Sequence, residues 1–462
     1  MPTHVVVLAA GQGKRMMSSL PKVAHAVAGR PLIGWVLEAV RPLEPASTVV
    51  VVGHGADQVH PHLPDGVLAT VQEEQLGTGH ATQVGLDALG EVSADDTIMV
   101  LYGDMPLLTT GLLQRLADRP DEVAARMVTS IFEDPRGYGR VIRDEDGFVL
   151  EVVEERDCDD AQRAVREVNA GAYGFRAKDL IDALGGVSNQ NAQSEYYLTD
   201  VIGILVGRGE RLEPVEATPE EVVGINSQDQ LTDAGRLLQD RINRDLMESG
   251  VWMLDPERTY IEDTVTVAPG ARIYPGVHLA GRTTVGAGAR VGPDVFAVDS
   301  TIGADSTVWY AVLRGAIVGD KCEVGPYASL RPGSVLEKGA KVGTFVETKN
   351  TTLGEKAKAP HLAYLGDATI GARSNIGAGS ITCNYDGYEK HHTEVGEDVF
   401  IGSDTMLVAP ITIGDRAVTG AGSVITNDVE PDSLALERSE QREIPGYSQR
   451  RAERHAAKQD ED

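Results

Sequence analysis

Short β-branched runs alternate with helical spacings through the first half of the chain. His4-Val5-Val6-Val7-Leu8, Val49-Val50-Val51-Val52 and Thr97-Ile98-Met99-Val100-Leu101 are almost wholly apolar, as strands covered on both faces must be. Leu32 to Val40 and Thr110 to Ala117 read as crossover helices. Strand–helix alternation predicts an α/β fold, a doubly wound, Rossmann-like domain over residues 1–226. Ser227-Gln228-Asp229-Gln230 then offers N-cap candidates. Leu231, Ala234, Leu238, Ile242 and Leu246 follow at spacings of three and four, and Gly250 supplies a stop, which predicts a linker helix within 227–250.

Beyond Gly250 the period changes to six. Val267, Ile273, Leu279, Val285 and Val291 keep it, as do Val318, Val324, Leu330, Leu336 and Val342, and again Val395, Ile401, Leu407 and Ile413. Glycine follows many of these aliphatics, as in Val285-Gly286, Val324-Gly325 and Ile376-Gly377. Aliphatic residues at this period mark a parallel β-helix of hexapeptide repeats, here over 251–437, with three hexads per triangular coil. The pattern lapses near 296–317 and 384–394, where loops are expected to leave the coil. From Arg438 charge takes over, so 438–462 reads as a tail whose last fifteen or so residues are disordered.

Composition narrows the function. Lys plus Arg number 42 against 70 for Asp plus Glu, a formal charge of −28. A surface so acidic argues against nucleic acid and anionic membrane as partners, and leaves any anionic substrate to be held by local donors. Aromatic residues make up only 5%, so the cores must be aliphatic. The three cysteines, Cys158, Cys322 and Cys383, are too few and too scattered for a disulfide framework or a zinc site. With no leader pattern before the first strand, and no run near the ~18 apolar residues of a membrane span, a cytoplasmic protein is expected.

The first strand opens into Leu8-Ala9-Ala10-Gly11-Gln12-Gly13-Lys14-Arg15-Met16, with Pro21-Lys22 beyond. Small residues after a strand let backbone N–H groups approach phosphate. The run lacks the Gly-Lys-Ser/Thr of a P-loop and the third glycine of a dinucleotide fingerprint, and it resembles the signature of sugar nucleotidyltransferases. Gln72 and Gln75-Leu76-Gly77-Thr78-Gly79-His80-Ala81 resemble the segment of that family that contacts uracil. Tyr102-Gly103-Asp104 ends a strand, where α/β sheets bind ligands and where a carboxylate beside phosphates suits Mg2+. Gly137-Tyr138-Gly139-Arg140, Glu154, Asn169 and Asn226 resemble further sugar and metal contacts.

In the second half, Arg331, Lys349, His361, Tyr364 and Asn375 lie along or between coils, followed by Ala378, Asn384, Tyr385, Ser403, Ala421 and Arg438. His361 sits in Ala359-Pro360-His361-Leu362-Ala363-Tyr364, an irregular break in the hexads. Acetyl transfer to an amine needs a base near neutrality, which histidine supplies; Arg331 and Lys349 can hold a sugar phosphate. With Asn375-Ile376-Gly377-Ala378-Gly379 and Thr382-Cys383-Asn384-Tyr385-Asp386-Gly387, the chain resembles bifunctional N-acetylglucosamine-1-phosphate uridylyltransferase/glucosamine-1-phosphate N-acetyltransferase from residue 4 to about 440. Two departures are Lys14, often Thr in the family, and Tyr447, often Trp. Cys383 reads as a small apolar filler.

That resemblance implies a left-handed sense for the β-helix, a homotrimer, and two reactions that feed peptidoglycan and other envelope polymers. His361 would deprotonate glucosamine-1-phosphate for attack on acetyl-CoA, Arg331, Lys349, Tyr364 and Asn375 holding the sugar phosphate. Ala378, Asn384, Tyr385, Ser403, Ala421 and Arg438 would hold acetyl-CoA, with Ser403 a candidate oxyanion donor. The product would then attack the α-phosphorus of UTP in a site built from Leu8, Ala9, Ala10, Gly11, Gly13, Arg15, Lys22, Gln72, Gly77, Thr78, Tyr102, Gly103, Asp104, Gly139, Glu154, Asn169 and Asn226. Asp104 and Asn226 would carry Mg2+, and Lys22 with the Gly11–Arg15 loop the phosphates. Two rivals are a single-function pyrophosphorylase with a regulatory β-helix, opposed by His361 with its cationic neighbours, and a non-catalytic scaffold, opposed by Lys22 and Asp104.

Overall fold

The computed structural model describes residues 1–11, 13–191 and 193–459; Gln12 and the side chain of Lys14 lie outside that description. The chain divides into two compact units, Met1–Asp245 with Tyr260–Thr264, and Leu246–Thr259 with the residues from Val265 on.

In the first unit nine strands form one sheet: β1 (Thr3–Ala9), β2 (Ser47–Val52), β3 (Leu68–Val71), β4 (Thr97–Tyr102), β5 (Val123–Ile131), β6 (Arg140–Arg143), β7 (Val149–Val153), β8 (Glu167–Arg176) and β9 (Arg211–Glu216). Their order is β9-β5-β8-β4-β1-β2-β3, with the β6–β7 hairpin attached to β8. The apolar runs are explained by double-sided burial. Val5, Val7, Val50, Val52, Met99 and Leu101 face α1 (Leu32–Val40) and α3 (Thr110–Ala117). Val6, Val49, Val51, Ile98 and Val100 face α2 (Thr78–Leu89), α4 (Ala177–Leu184) and α5 (Asp200–Gly207). Each fully buried valine contributes roughly 1.5–3 kcal/mol. The central strands are parallel as expected, but β8 runs antiparallel to both neighbours. Direction is invisible to hydrophobic periodicity. The helix foreseen within 227–250 is α6 (Gln228–Glu248), whose Ala234, Leu238 and Ile242 are buried; Arg241 fastens it by donating to the Leu107 carbonyl at 2.9 Å.

In the second unit the inward residues stack coil upon coil. Val267, Val285, Ile302, Val318, Leu336, Leu353, Ile370, Val395 and Ile413 form one such column, each paired with the next in parallel register. Residues 296–317 do not leave the coil. They are strands Val295–Val298, Thr301–Ile302, Thr307–Val308, Ala311–Arg314 and Ile317–Val318. The spacings Ala297 to Ile302, Val308 to Leu313 and Leu313 to Val318 are five, because three corners are one residue shorter while the parallel pairing continues. The break around His361 is of the same kind: Lys358–His361 is a strand in register with Lys341–Thr344. The second expected loop is real, since Ile370 pairs with Val395 across the segment 384–392. Threonines also interrupt the aliphatic pattern. Thr348 and Thr382 occupy inner positions, their hydroxyls satisfied by Ser334 at 2.8 Å and the Gly366 carbonyl at 3.0 Å.

The tail departs from the expected disorder. Tyr447–Gln459 forms α7, with no buried residue. Its alanines, arginines and glutamines are good helix formers, and Gln449 donates to Glu453 one turn on at 3.0 Å. Asp460 to Asp462 lie outside the described residues. Because Leu330 is fully buried in an inner column, Leu330→Ala should cost about 2–5 kcal/mol. A urea titration of the second unit's unfolding checks this.

Candidate active sites

In the first unit, β2 and β3 lie on one side of β1 and β4 on the other, so the sheet's switch point falls between the ends of β1 and β4. A cleft of about 560 Å³ opens there. Gly103 N–H donates to the Leu8 carbonyl at 2.9 Å, holding the two strand ends together. Fifteen of the seventeen expected uridylyltransferase residues line the cleft: Leu8, Ala9, Ala10, Gly11, Arg15, Lys22, Gln72, Gly77, Thr78, Tyr102, Asp104, Gly139, Glu154, Asn169 and Asn226. Gly13 and Gly103 lie behind the wall and shape it. At Gly13, with φ near +59°, an added Cβ would come within 2.6 Å of the Lys22 Cβ.

At the cleft's centre the Lys22 ammonium donates to the Asp104 carboxylate and, at 3.1 Å, to Asn226 Oδ1. Lys22 and Asp104 are each only 14% exposed. Asn226 is fixed by its amide, which donates to the Gly224 carbonyl at 3.2 Å, and by its N–H, which donates to Gln230 at 2.7 Å. Two oxygens thus converge on one cationic point. Such a donor pair fits Mg2+, which binds through one or two protein oxygens and completes its shell from phosphates and water. Among the described residues no group of three or more His, Cys, Asp or Glu side chains is placed to hold a metal, so a metal here would depend on its substrate's oxygens.

One end of the cleft is built by polar clamps. Gln75 donates to the Ala10 carbonyl at 2.7 Å, and Gln72 to the Gly77 carbonyl at 3.1 Å. Gly77 has φ near +110°, and a Cβ there would meet the Tyr196 carbonyl at 2.6 Å, so only glycine fits this turn. At the other end Thr199 donates to Glu154 at 3.1 Å. Burial pushes the Glu154 carboxyl above its usual range, opposed by that hydrogen bond and reinforced by Asp157 and Asp200. Asn169 donates to the Tyr173 hydroxyl at 2.6 Å. Arg140 does not belong to this wall. It is buried, pairs with Glu155 at 2.6 Å and donates to the Tyr138 carbonyl, so it braces the loop that presents Tyr138 and Gly139. Arg136, Gly171, Glu195, Gly224 and Gln230 line the cleft without having been expected there.

In the second unit the expected acetyltransferase residues border one face of the prism, formed by strands beginning at Glu347, Tyr364, Ile381 and Met406. Along one edge His361, Ala378, Ser403 and Ala421 occupy successive coils. Continuity is shown by Gly379 N–H donating to Leu362, Asp404 N–H to Ala378 and Gly422 N–H to Ser403. Arg438 reaches this edge and donates to the Ala421 carbonyl at 3.0 Å, and Asn375 lies three residues before Ala378. On the face itself Arg331 pairs with Glu347 at 2.8 Å, and Glu347 is in register with Tyr364. Lys349 lies against Lys390, and the side-chain contact with Lys390, followed by desolvation and the like charge, pushes the Lys349 ammonium below its ordinary value. Lys390 comes from the 384–392 loop, which sequence pattern alone could not place. Along the other edge Asp367 accepts from Asn350 at 2.8 Å and from Asn384 at 2.5 Å, with Tyr385 exposed just beyond. The face is three to four residues wide, about 10 Å. The Ala378–Ser403–Ala421 edge and the Asn384–Tyr385 edge therefore do not meet within one chain. Cys383, partly exposed on this face, is a free thiol.

A MobA-like NTP transferase domain model matches residues 5–194, and the bacterial transferase hexapeptide model, of six repeats, matches 392–427. The bifunctional protein GlmU of Streptomyces avermitilis is 49% identical over 463 aligned residues, covering 99% of this chain and 96% of its own length. That of Stutzerimonas stutzeri is 47% identical, with 97% and 99% covered, and that of Heliobacterium modesticaldum 46% identical, with 94% and 95% covered. Among solved structures, an inositol-1-phosphate CTP transferase from T. maritima overlaps 51% of this chain and 94% of its own at 18% identity and a TM-score of 0.41, a likeness too distant to bear on the family. With both domain signatures in order and relatives matched end to end, the chain belongs to the bifunctional GlmU family.

Proposed function

We propose that the second unit acetylates glucosamine-1-phosphate with acetyl-CoA, and that the first joins the product, N-acetylglucosamine-1-phosphate, to UMP from UTP. The observation that carries this reading is the presence of two separate groupings of polar residues, one lining the cleft of the first unit and one bordering a face of the second. In the first unit the sugar-phosphate oxygen attacks the α-phosphorus of UTP, and the bond to pyrophosphate breaks. Arg15, Lys22 and the backbone of Ala10 and Gly11 bind phosphates, Gln72, Gly77 and Thr78 the base, and Gly139, Glu154 and Asn169 the sugar. Asp104 and Asn226 would hold Mg2+, whose chemistry there would be charge neutralisation on the phosphates. In the second unit His361 takes the proton of the substrate amine, which attacks the thioester carbonyl as the CoA thiolate leaves. Arg331, Lys349 and Lys390 bind the sugar phosphate with Tyr364 and Asn375, and Ser403 donates to the oxyanion. Ala378, Asn384, Tyr385, Ala421 and Arg438 complete the acetyl-CoA site.

A homotrimer follows from what one chain leaves open. Tyr310, Tyr327 and Phe345 stack at 5.5 Å intervals up a corner of the prism. Tyr327 and Phe345 are each 58% exposed and Leu362, next in register, 61%. A shallow groove of about 620 Å³ runs beside Tyr310 and Tyr327, past Phe296 and Val312. An apolar strip of this kind is covered by a partner. Closed three-fold packing gives each edge of the face a neighbour's edge to meet. The acidic surface and the absence, among the described residues, of any helix long and apolar enough to cross a membrane fit a cytoplasmic enzyme of small substrates.

Asp104→Ala should abolish uridylyl transfer and spare acetyl transfer, and His361→Ala should do the reverse; pyrophosphate and free CoA release measure the two. Loss of both reactions in either folded variant sinks the two-site reading. Light scattering should give three times the 49.3 kDa chain mass. Phe345→Glu should yield monomers that lose acetyl transfer and keep uridylyl transfer. Glu154→Gln tests the buried carboxyl. A carboxyl raised in the fold burdens folding once ionised, a cost present above its folded pKa and absent below the unfolded value. The glutamine variant should therefore melt higher than the parent at pH 7, with the gain shrinking toward pH 4 in a thermal-shift series.

A further inference from the structure

The central cluster of the first cleft holds an ordering device, an inference that rests on the uridylyltransferase reading above. The Asp104 carboxylate is largely screened from water, and a buried charge needs a partner. Lys22 supplies it. Its ammonium occupies the point on which Asp104 and Asn226 Oδ1 both converge, which is the point a divalent cation would take. The root of Lys22 is fixed. Pro21 caps the short turn Lys22–Ala24, and Gly13 lies against the stem so closely that a Cβ there would sit 2.6 Å from the Lys22 Cβ. Its tip is a point charge on a flexible four-carbon stem, free to swing where an arginine's rigid fork would not. The nucleotide's phosphates, entering over Ala10, Gly11 and Arg15 on the same wall, offer that tip another partner.

We propose that Lys22 is the resident counter-cation of the Asp104–Asn226 pair. A divalent metal must displace it, and the incoming triphosphate drives the exchange by drawing the ammonium away. Lys22 then neutralises the empty site and grips phosphate in the filled one. The nucleotide-free protein accordingly binds bare metal weakly, and metal and nucleotide enter together. Removing the competitor should tighten bare metal by about tenfold, within the range usual for coupling between ligands of one site.

The test titrates the nucleotide-free, full-length protein with Mn2+ and follows the free-ion signal by electron paramagnetic resonance. Lys22→Met should bind Mn2+ about tenfold more tightly than the parent, whereas Arg15→Met, which removes another cation of the same cleft, should change it less than twofold. Lys22→Gln, which keeps a donor for Asn226, replaces the methionine variant should circular dichroism show that one unfolded. Adding Asp104→Asn to the Lys22 variant should abolish the gain. Unchanged or weaker Mn2+ binding on loss of Lys22 overturns the proposal, as does an equal rise in Arg15→Met, which would mean a general charge effect. Mn2+ binding of the Lys22 variant that ignores Asp104→Asn overturns the metal assignment itself.

Discussion

Neighbouring parallel strands impose one requirement on both units: after each strand the chain must return to the edge where it began before it can pair again. The first unit returns by helices, so its sheet is covered on both faces and ligand space remains only beyond the strand ends. That places Ala9, Ala10, Tyr102 and Asp104 at the cleft. The second unit returns by two further strands. Its inside fills with columns that each add one inward residue per coil, as in the column from Val267 to Ile413, and its chemistry is left on the outside of a prism.

How much of this was legible follows from how local each feature is. Site residues within contiguous runs, Leu8 to Gly11, Gln72 to Thr78 and Tyr102 to Asp104, were readable because a strand end and its turn carry them together. Arg140 shared a run with Gly139 but begins the strand Arg140–Arg143, where its side chain is buried against Glu155. Arg136 and Lys390 arrive from loops that no period announces, and Gln230 from a helix start whose spacing shows the helix but not what its first turn faces. The short corners between Ala297 and Val318 defeated a count of six, though not the fold, because register depends on strand pairing and tolerates a corner that closes one residue sooner. The direction of β8 was likewise hidden, for a strand buried on both faces looks the same read either way.

Electrostatics in so acidic a chain, at −28, have to work at short range. With screening over about 8–10 Å, the surface field offers nothing to phosphates, and attraction falls to single cations placed against them. Their placement is economical. Lys22 is held by Asp104 and Asn226, Arg331 by Glu347, and Asp367 is steadied by Asn350 and Asn384. Lys349 and Lys390 are the exception, two like charges brought side by side by a loop. Asp367 carries one negative charge toward the pair, its carboxyl held below the usual range, against its burial, by Asn350, Asn384 and these two ammoniums, which leaves one positive charge of the pair to meet a phosphate.

The two sites also differ in how each is shielded from water, and shielding decides how strongly fixed charges act. The Lys22–Asp104 pair, each partner 14% exposed, lies within walls its own unit provides. Arg331 and Glu347, at 40% and 42%, stand on an outer face with water on one side. The base and the oxyanion donor proposed for that face would gain little until something covers them. One chain has no cover to give, because its two candidate coenzyme edges lie a full face apart. Its aromatic corner, Tyr310, Tyr327 and Phe345, ascends toward His361, with Tyr327 and Phe345 exposed. In the proposed trimer the exposed strip and the face beside His361 would be covered together, which would tie acetyl transfer to assembly and leave uridylyl transfer independent of it.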